Sequence, residues 1–417
     1  VGFPKKLILL VMMGSRGNFL MYKPYTLEDV YTASSQEKFK VISTFAGGGG
    51  SSTGYRLAGG KVLCMNEFVD EAQTTYAWNY PDTTILPGDI KELSGEDFLN
   101  ATGLDVGELD ILDGSPPCSA FSVAGKLSHN VHEEEHVDLF GNITIEKVSG
   151  KHSDGWGQTK NYSDGKMVEN IEDLFFEFLR VAKYIKPKVI VAENVKGLTI
   201  GEAKGYLNKI LNTFEEIGYD VCHQVLDSRY YGVAQTRSRV IFIGVREDVA
   251  AKAGYNFMNI SQIFPEPSRD VMTVKDVMAG LKYDDEEVKY LTDKFTNTAY
   301  WKQTGSKMPI DPPKVLSGMD YHPKGHHFNL KRVSQYQPAP TITAMGSADT
   351  TAGAFHWSEP RKLTLGELKR IMSLPDDFIL TGKWNQRAER CGRMVPPLMM
   401  KSIADSVYEK VLEKYNG

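Results

Sequence analysis

The segment 115–122 is Ser-Pro-Pro-Cys-Ser-Ala-Phe-Ser and follows an apolar run, so it places Cys118 on a stiff loop. Proline fixes φ and has no N–H, and two consecutive prolines therefore cannot continue the preceding strand. A rigid loop suits a thiolate nucleophile, because the attacking sulfur must be held in a defined geometry against its substrate. The alternative is a buried cysteine that serves as a small apolar side chain.

A glycine-rich turn and two acidic residues, each after an early segment of the chain, predict a nucleoside site. Residues 45–50 are Phe-Ala-Gly-Gly-Gly-Gly, and glycine lets the backbone approach a ligand closely. Glu67 follows the next apolar run and suits the two hydroxyls of a ribose, while Asp89 could accept from an adenine amine. The spacing fits a GxGxxG pyrophosphate site poorly, which disfavours a nicotinamide cofactor. A glycine turn without function is the alternative.

Two further groups could handle protons or bind an anion. Glu193 follows the apolar run 189–192 and shares the predicted rim with Cys118, which favours a proton-sharing role over a helix cap or a solvated carboxylate. Residues 235–239 are Gln-Thr-Arg-Ser-Arg, and Arg237 and Arg239 point to one face of an extended segment. They could bind a phosphate or a base oxygen. An exposed edge strand with arginine salt bridges is the alternative.

The elements that must position these residues form an α/β pattern. Apolar runs alternate with amphipathic stretches from residue 40 to about 244, which predicts a Rossmann-like, mainly parallel sheet with helices on both faces. A stripe of period 3.6 predicts a helix over 171–185. Ligands bind beyond the carboxyl ends of strands in such sheets. The predicted strands cover 41–45, 61–65, 109–112, 189–192 and 240–243.

The pattern also predicts how the chain is divided. The segment 126–169 is polar, glycine-rich and too long for a plain βα connection, which favours a mobile lid or a disordered insertion. The βα rhythm fails from 262 to about 355 and helical periodicity returns over 363–372 and 399–412. We therefore expect four parts: an N-terminal extension partly outside the fold (1–39), a catalytic domain (40–261), a smaller irregular domain (262–358) and a segment completing the catalytic domain (359–417).

Composition sets broad limits on function. The chain has 417 residues, 41% hydrophobic and 24% charged, enough for a large core and a second module. Its four cysteines (Cys64, Cys118, Cys222 and Cys391) are spread singly, which predicts reduced thiols and no metal site. No apolar run approaches the roughly 20 residues that cross a bilayer, so we expect a cytoplasmic protein. A net charge of −5 neither indicates nor excludes nucleic-acid binding, because local Lys and Arg placement governs it.

The ordered motifs resemble those of the cytosine-C5 DNA methyltransferase family, in its bacterial and phage form. The resemblance covers residues 40 to about 410, and five independent patterns in the family's order make chance agreement improbable. The patterns are Phe-x-Gly-x-Gly-Gly (45–50), Pro-Cys-x-x-Phe-Ser (117–122), Glu-Asn-Val (193–195), Gln-x-Arg-x-Arg (235–239) and Arg-Lys-Leu-Thr (361–364).

The resemblance implies a particular reaction. Cys118 would add to C6 of a cytosine, and Glu193 would hold N3 and the exocyclic amine and supply a proton. The activated C5 would take a methyl group from S-adenosyl-L-methionine, after which loss of the C5 proton releases Cys118. Arg239 would bind the base O2, and Arg237 would support the nucleophile loop or a phosphate. The target ring atoms are unreachable inside a duplex, so the base must flip out.

The resemblance also implies binding residues. Glu67 would bind the ribose of S-adenosylmethionine, Asp89 the adenine amine, and the adenine ring would lie against Phe45 and Ile90. The segment 262–358 would be the target-recognition domain, and 126–169 occupies the place of the family's closing loop. The full implied cofactor set is Phe45, Gly47, Gly49, Gly50, Glu67, Phe68, Asp89, Ile90, Pro117 and Leu174. The implied DNA contacts are Ser119, Ser122, Gln235, Thr341 and Ile342.

The chain departs from the family pattern at two positions. Ser43 stands where an aspartate is common, and Arg393 stands where the tenth motif has asparagine. The chain lacks the Cys-Phe-Thr of the RNA-methylating branch, so the expected partner is double-stranded DNA, bound by a monomer. A cognate restriction endonuclease acting separately is a further expected partner. The alternatives are a catalytically impaired DNA-binding homologue, which Arg393 favours, and a dinucleotide oxidoreductase.

Overall fold

The structure of the protein is a computed structural model. Residues 1–21 lie outside its described residues, as do the predicted site residues Cys118, Ser119 and Ser122. Of the segment 126–169, only four short strands are described, by their backbone. The remaining described residues are 22–117, 173–201, 203–323, 330–344 and 353–417.

The strands form one large sheet and several small ones. In chain order the described strands are β1 Lys40–Thr44, β2 Lys61–Glu67, β3 Thr84–Pro87, β4 Ile111–Gly114, β5 Val131–Val137, β6 Ile143–Ser149, β7 Thr159–Asn161, β8 Met167–Glu169, β9 Val189–Val195, β10 Tyr219–Asp227, β11 Gln235–Thr236, β12 Ser238–Arg246, β13 Leu316–Ser317, β14 Leu330–Arg332, β15 Ala339–Pro340 and β16 Gly353–Phe355.

The large sheet confirms the predicted Rossmann-like class. Its seven strands lie in the order β10-β12-β9-β4-β1-β2-β3, and all are parallel except β12, which is antiparallel to both neighbours. The five predicted strands are present with shifted ends, and β3 and β10 are additional. Because β12 pairs with a strand on each side, Arg239 does not lie on an exposed edge strand, and that alternative is wrong.

The helices cover both faces of the sheet. One face packs against α4, α5 and α6 and the other against α2, α7 and α13. The described helices are α1 Leu27–Ser34, α2 Gly50–Leu57, α3 Asp70–Asn79, α4 Gly95–Thr102, α5 Leu174–Ile185, α6 Ala203–Glu216, α7 Glu247–Ala253, α8 Val274–Met278, α9 Asp285–Thr296, α10 Ala299–Gln303, α11 Leu365–Ile371, α12 Trp384–Arg393, α13 Pro397–Val407 and α14 Glu413–Asn416.

Helix α5 shows why the apolar stripe sets this architecture. Phe175 and Phe178 are fully buried against the sheet, and each such burial stabilises the fold by about 1.5–3 kcal/mol. The helix ends where Lys186 takes a left-handed φ of 53° and Pro187 follows, since proline cannot continue a helix. The strand β9 begins two residues later and starts the next βα unit.

Helices α1 and α13 both pack against α2. Tyr31 of α1 donates a hydrogen bond to the Asn79 carbonyl oxygen at 2.6 Å, so the chain from α1 onward is part of the fold. Gly54 of α2 faces α13, and a Cβ there would lie 2.6 Å from the Pro397 carbonyl oxygen. Only glycine permits this approach, which brings the C-terminal helix against the helix that follows β1.

The segment between β12 and α11 is built from short pieces, as its irregular sequence indicates. It has its own apolar cluster, which includes Phe295, Tyr300 and Leu330, and a three-stranded sheet in the order β13-β14-β16. The strand β15 pairs with β11, so this segment is joined to the stretch that leads into β12. Among the described residues, no helix is long and apolar enough to cross a membrane.

Candidate active site and cofactor cleft

The carboxyl ends of the parallel strands bring the predicted site residues to one edge of the sheet. Glu67 ends β2, Asp89 lies two residues after β3, and Pro117 lies three residues after β4. Phe45 directly follows β1, and Glu193 lies inside β9, not after it. The strands are neighbours and point the same way, so these residues line a common rim.

The glycine turn after β1 has a shape that few residues other than glycine can adopt. Phe45, Gly47 and Gly49 have positive φ values of 51°, 55° and 103°. A Cβ on Gly47 would meet no atom within 4 Å, so the turn is open on that side. A Cβ on Gly50 would lie 2.8 Å from the Met394 Cβ, which closes the opposite side. The turn is therefore held from behind by the C-terminal segment and faces the rim.

Glu67 fixes the glycine turn through its carboxylate. One oxygen accepts a hydrogen bond from the Gly47 N–H at 2.8 Å, and the other accepts from the N–H groups of Phe68 (2.9 Å) and Val69 (2.8 Å). A carboxylate offers about four acceptor positions, so these three bonds leave room for a ligand hydroxyl. This geometry is compatible with the predicted ribose contact and adds a structural role that the sequence did not indicate.

The other predicted cofactor residues divide into half-exposed and buried groups. Asp89 is half-buried and its Oδ1 caps a short turn by accepting from the Lys91 N–H at 3.0 Å. Gly88, with φ of 106°, has open space where a Cβ would lie. Ile90 and Leu174 are buried in the core beneath. An adenosine group fits this arrangement, because the half-exposed carboxylates can accept from its hydroxyls and amine and the apolar residues beneath can contact its ring.

Glu193 and Arg239 form an ion pair on adjacent strands. The antiparallel register sets Glu193 beside Ile241 and Arg239 beside Val195, which puts both side chains on one face. Arg239 Nε lies 2.7 Å from Glu193 Oε1, and both side chains are mostly buried, although the N–H is not aligned for a hydrogen bond. Separating the two side chains would leave each charge poorly solvated, so they stay paired. The ion pair therefore holds both side chains in one orientation.

Arg237 is buried and bridges two distant segments. Its Nη1 donates hydrogen bonds to the carbonyl oxygens of Ile342 (3.2 Å) and Gly392 (2.9 Å). Burial, together with the nearby Arg239 charge, lowers the pKa of the Arg237 guanidinium to about 9. The Arg237 side chain thus contacts the end of the irregular segment and helix α12. Its predicted support of the nucleophile loop remains a prediction.

The three described residues predicted to contact DNA form a hydrogen-bonded seam. Gln235 is fully buried, and its amide donates to the Met372 sulfur (2.8 Å) and accepts from the Ile342 N–H (3.0 Å). Thr341 Oγ1 donates to the Thr236 carbonyl oxygen at 2.7 Å. Because the Gln235 side chain is fully buried, a direct contact with DNA would require it to leave this position.

The sequence did not indicate two residues that support the site. Asn194 Nδ2 donates to the Pro116 carbonyl oxygen at 3.1 Å, which ties the loop before Cys118 to the strand that carries Glu193. The adjacency of Asn194 to Glu193 was the available signal.

Asp113 is buried inside β4 and accepts from Ser43 Oγ at 2.7 Å. A carboxylate within an apolar run was its signal. Among the described residues, no cluster of potential metal ligands occurs.

The fold places the chain in the Rossmann-like α/β class, with its candidate site at the carboxyl ends of the parallel strands. The chain belongs to the C-5 cytosine-specific DNA methylase family, whose sequence profile matches residues 39–145 and 159–409. It is accordingly a DNA (cytosine-5-)-methyltransferase, as the resemblance implied, and the oxidoreductase alternative is wrong.

Similar proteins agree with this assignment. The Type II methyltransferase M.Eco47II of Escherichia coli is 28% identical, with 92% of this chain and 82% of the relative covered. M.NgoPII of Neisseria gonorrhoeae is 29% identical, with 90% and 96% covered. The structure of S. pombe Dnmt2 methyltransferase has a TM-score of 0.54 at 14% identity, covering 91% of this chain and all of that one. That structural likeness supports the fold alone.

Proposed function

We propose that this enzyme methylates C5 of a cytosine flipped out of a specific duplex DNA sequence, through a covalent bond between Cys118 and C6. The observation that carries the proposal is the ion pair between Glu193 and Arg239, with 2.7 Å between Nε and Oε1. Glu193 lies on β9, the strand whose Asn194 anchors the loop before Cys118. A proton-sharing carboxylate and a cation therefore lie next to the anchor of the predicted nucleophile.

Cys118 acts as the nucleophile because cytosine C5 is unreactive until a thiolate has added to C6. The new S–C6 bond pushes electrons toward C5 and N3, and Glu193 delivers a proton at N3 as charge develops there. After C5 has gained its methyl group, a base removes the C5 proton, N3 returns its proton to Glu193, and the S–C6 bond breaks to release the Cys118 thiolate. Arg239 holds the base O2, and its contact with Glu193 keeps both groups aimed at one ring.

The rim residues bind the methyl donor. S-adenosylmethionine supplies an electrophilic methyl group on a sulfonium when bound. Glu67 would accept from the ribose hydroxyls with the capacity that its three backbone bonds leave, and Asp89 would accept from the adenine amine. The full set that we propose to line the cleft is Phe45, Gly47, Gly49, Gly50, Glu67, Phe68, Asp89, Ile90, Pro117 and Leu174.

Duplex DNA is the proposed substrate, and a monomer is the proposed acting form. Ser119, Ser122, Thr341 and Ile342 are proposed to lie against the flipped nucleotide and its neighbours, whereas Gln235 positions Ile342 from below. A flipped base is required because C5 and C6 lie inside the stack of an intact helix. A restriction endonuclease of the same specificity would act as a separate protein.

The test begins with bisulfite sequencing of DNA from cells that express the protein, which yields the target sequence. A duplex with 5-fluorocytosine at that target should form an adduct that survives denaturation, since fluorine at C5 blocks the final elimination. Cys118→Ala should form none, and Cys222→Ala, which removes a thiol on the edge strand β10, should form it normally. An adduct with Cys118→Ala would overturn the nucleophile assignment.

A catalytically impaired DNA-binding homologue is the second candidate, and one observation favours it. Arg393 replaces the family's asparagine and pairs with Glu389 one turn earlier in α12, with Nη2 2.6 Å from Oε1. Such a protein would shift the target duplex in a gel but transfer no labelled methyl group. Transfer of label by the purified protein excludes this candidate.

A further inference from the structure

Asp113 is a buried carboxyl that the proposed chemistry does not use. It lies inside β4, one residue before the strand ends and five residues before Cys118, and only 1% of it is exposed. A buried carboxyl is costly unless hydrogen bonds satisfy it, so its retention at this position requires a reason.

The hydrogen bonds of Asp113 join three elements. Ser43 is its register partner on β1 and donates from Oγ to Oδ2 at 2.7 Å. Tyr55 of α2 donates from its hydroxyl to Oδ1 at 3.1 Å. Thr44 Oγ1 donates to the main-chain oxygen of Asp113 at 3.0 Å. The strand that carries Asp113 is thereby fastened to β1 and to the helix after the glycine turn.

These attachments lie directly beneath both reactive loops. After Thr44 the chain enters the glycine turn, and after Gly114 it enters the loop that leads to Cys118. The Thr44–Gly114 register pair is the last one between the two strands. Any rotation or sliding of β4 against β1 would therefore change the distance between the glycine turn and Pro117, the last described residue before Cys118.

We propose that Asp113 is a positioning residue for methyl transfer, which fixes the start of the Cys118 loop relative to the glycine turn. This inference rests on the proposed function and extends it to a residue that touches neither substrate nor cofactor. Reacting groups must be placed within a fraction of an ångström, and a misplacement of about 1 Å can reduce the rate about 100-fold.

The charge state of Asp113 decides whether both hydroxyls can donate to it. An ionised carboxyl accepts from Ser43 and Tyr55 together, whereas protonation makes one carboxyl oxygen a donor, so the hydroxyl beside it must accept instead and its hydrogen bond changes direction and geometry. Burial is the main cause that raises the pKa of Asp113 to about 7, the Glu193 charge on β9 adds to it, and the bonds from Ser43 and Tyr55 oppose it. The positioning is therefore nearly complete at pH 8, is halved near pH 7, where half of the Asp113 carboxyls are protonated, and is mostly lost at pH 6.

The first test compares Asp113→Asn with wild type, with the full chain and its target duplex. Asparagine keeps the shape but accepts at one oxygen only, so kcat should fall about tenfold at pH 8 while affinity for S-adenosylhomocysteine stays within about twofold. The ratio of wild-type to variant kcat should shrink as pH falls from 8 to 6. Asp110→Asn is the control, because Asp110 is a buried carboxyl at the other end of β4 that binds the Lys40 N–H and Lys188.

The second test exchanges the register partners. Ser43→Asp alone and Asp113→Ser alone should each lower kcat, and the double variant should recover at least a third of the wild-type value, because a carboxyl and a hydroxyl again face each other. Three results would each overturn the inference without touching the proposed function. The first is a wild-type kcat for Asp113→Asn at pH 8, and the second is the same change of the kcat ratio with pH in Asp110→Asn. The third is a double variant whose kcat is no higher than that of the single variants. A wild-type protein that transfers no methyl group would overturn it together with the proposed function.

Discussion

The Arg237 guanidinium donates a hydrogen bond of 2.9 Å to the carbonyl oxygen of Gly392, although 155 residues separate the two in the chain. The same Nη1 also donates to the Ile342 carbonyl oxygen, so one buried cation joins β11–β12, the end of the irregular segment and α12. Such a bridge fixes the irregular segment relative to the sheet, and the proposed DNA substrate would bind between these parts and the rim.

Arg237→Lys should therefore destabilise the protein although it keeps the charge. A lysine has a shorter reach and no planar fork, so at least one of the two buried carbonyls would lose its partner. The expected loss is about 1–3 kcal/mol of unfolding free energy, measured by urea denaturation. Arg229→Lys is the control, since Arg229 is more exposed and pairs with Asp227 near the surface. An unchanged midpoint for Arg237→Lys would contradict the bridging role.

Gly392→Ala tests the same junction from the other side. A Cβ on Gly392 would lie 2.5 Å from the Thr343 carbonyl oxygen and 2.7 Å from the Ala344 nitrogen, and backbone atoms cannot move aside cheaply. We expect a loss of about 1–3 kcal/mol together with weaker binding of the target duplex.

Gly205→Ala is the matched control for that substitution. Gly205 also lies in a helix, α6, but a Cβ there would meet nothing within 4 Å. The control should be neutral or gain about 0.5–1 kcal/mol, since alanine is the better helix former. Equal melting temperatures for the two variants would mean that the junction tolerates a shift.

Glu67→Gln should weaken the cofactor cleft without unfolding the protein. The amide has one acceptor oxygen and cannot accept from Gly47 on one side and from Phe68 and Val69 on the other. Affinity for S-adenosylhomocysteine, measured by calorimetry, should fall about 10- to 100-fold, as expected for bonds to a charged acceptor. Glu92→Gln, an exposed residue near the same rim, should bind as wild type does. Binding unchanged in Glu67→Gln would remove Glu67 from the site.

Arg393→Asn should leave methyl transfer equal to that of wild type or better. The pair between Arg393 and Glu389 is a partly exposed contact one helical turn apart, which contributes about 0.3–0.5 kcal/mol. Asparagine restores the family's residue beside Gly392, where α12 meets Thr343. A large loss of kcat in this variant would show that the arginine has a role of its own in this chain.

The sequence predicted the sheet class and the rim residues because local patterns encode both. Buried strands such as β1 and β9 contain short apolar runs (41–42 and 189–192), and a glycine turn follows β1. The edge strands β3 and β10 were missed because much of each is only partly buried, so their apolar signal is weak. The pairing of Ser43 with Asp113 depends on the register of strands about 70 residues apart, and the contact of Arg237 with Gly392 depends on tertiary packing. Neither leaves a local pattern.

The stability of Asp113→Asn relative to wild type should rise with pH. Burial raises the pKa of Asp113 from 3.8 in the unfolded chain to about 7 in the fold, so folding favours the protonated form. The wild type therefore loses stability as pH rises from about 4 to 7, because the unfolded chain ionises first, and the loss is complete above pH 7. Asparagine does not ionise and escapes this loss.

The pH dependence separates this electrostatic effect from a simple loss of hydrogen bonds. Lost hydrogen bonds would lower the unfolding free energy of Asp113→Asn by a similar amount at every pH. Ionisation instead changes the difference in unfolding free energy between variant and wild type, by an amount on the order of 1 to 4 kcal/mol between pH 5 and 8. Urea denaturation of both proteins at pH 5, 6.5 and 8 measures that difference. A constant difference would mean that Asp113 is ionised throughout, and the weakening of its positioning role below pH 7 would then be excluded.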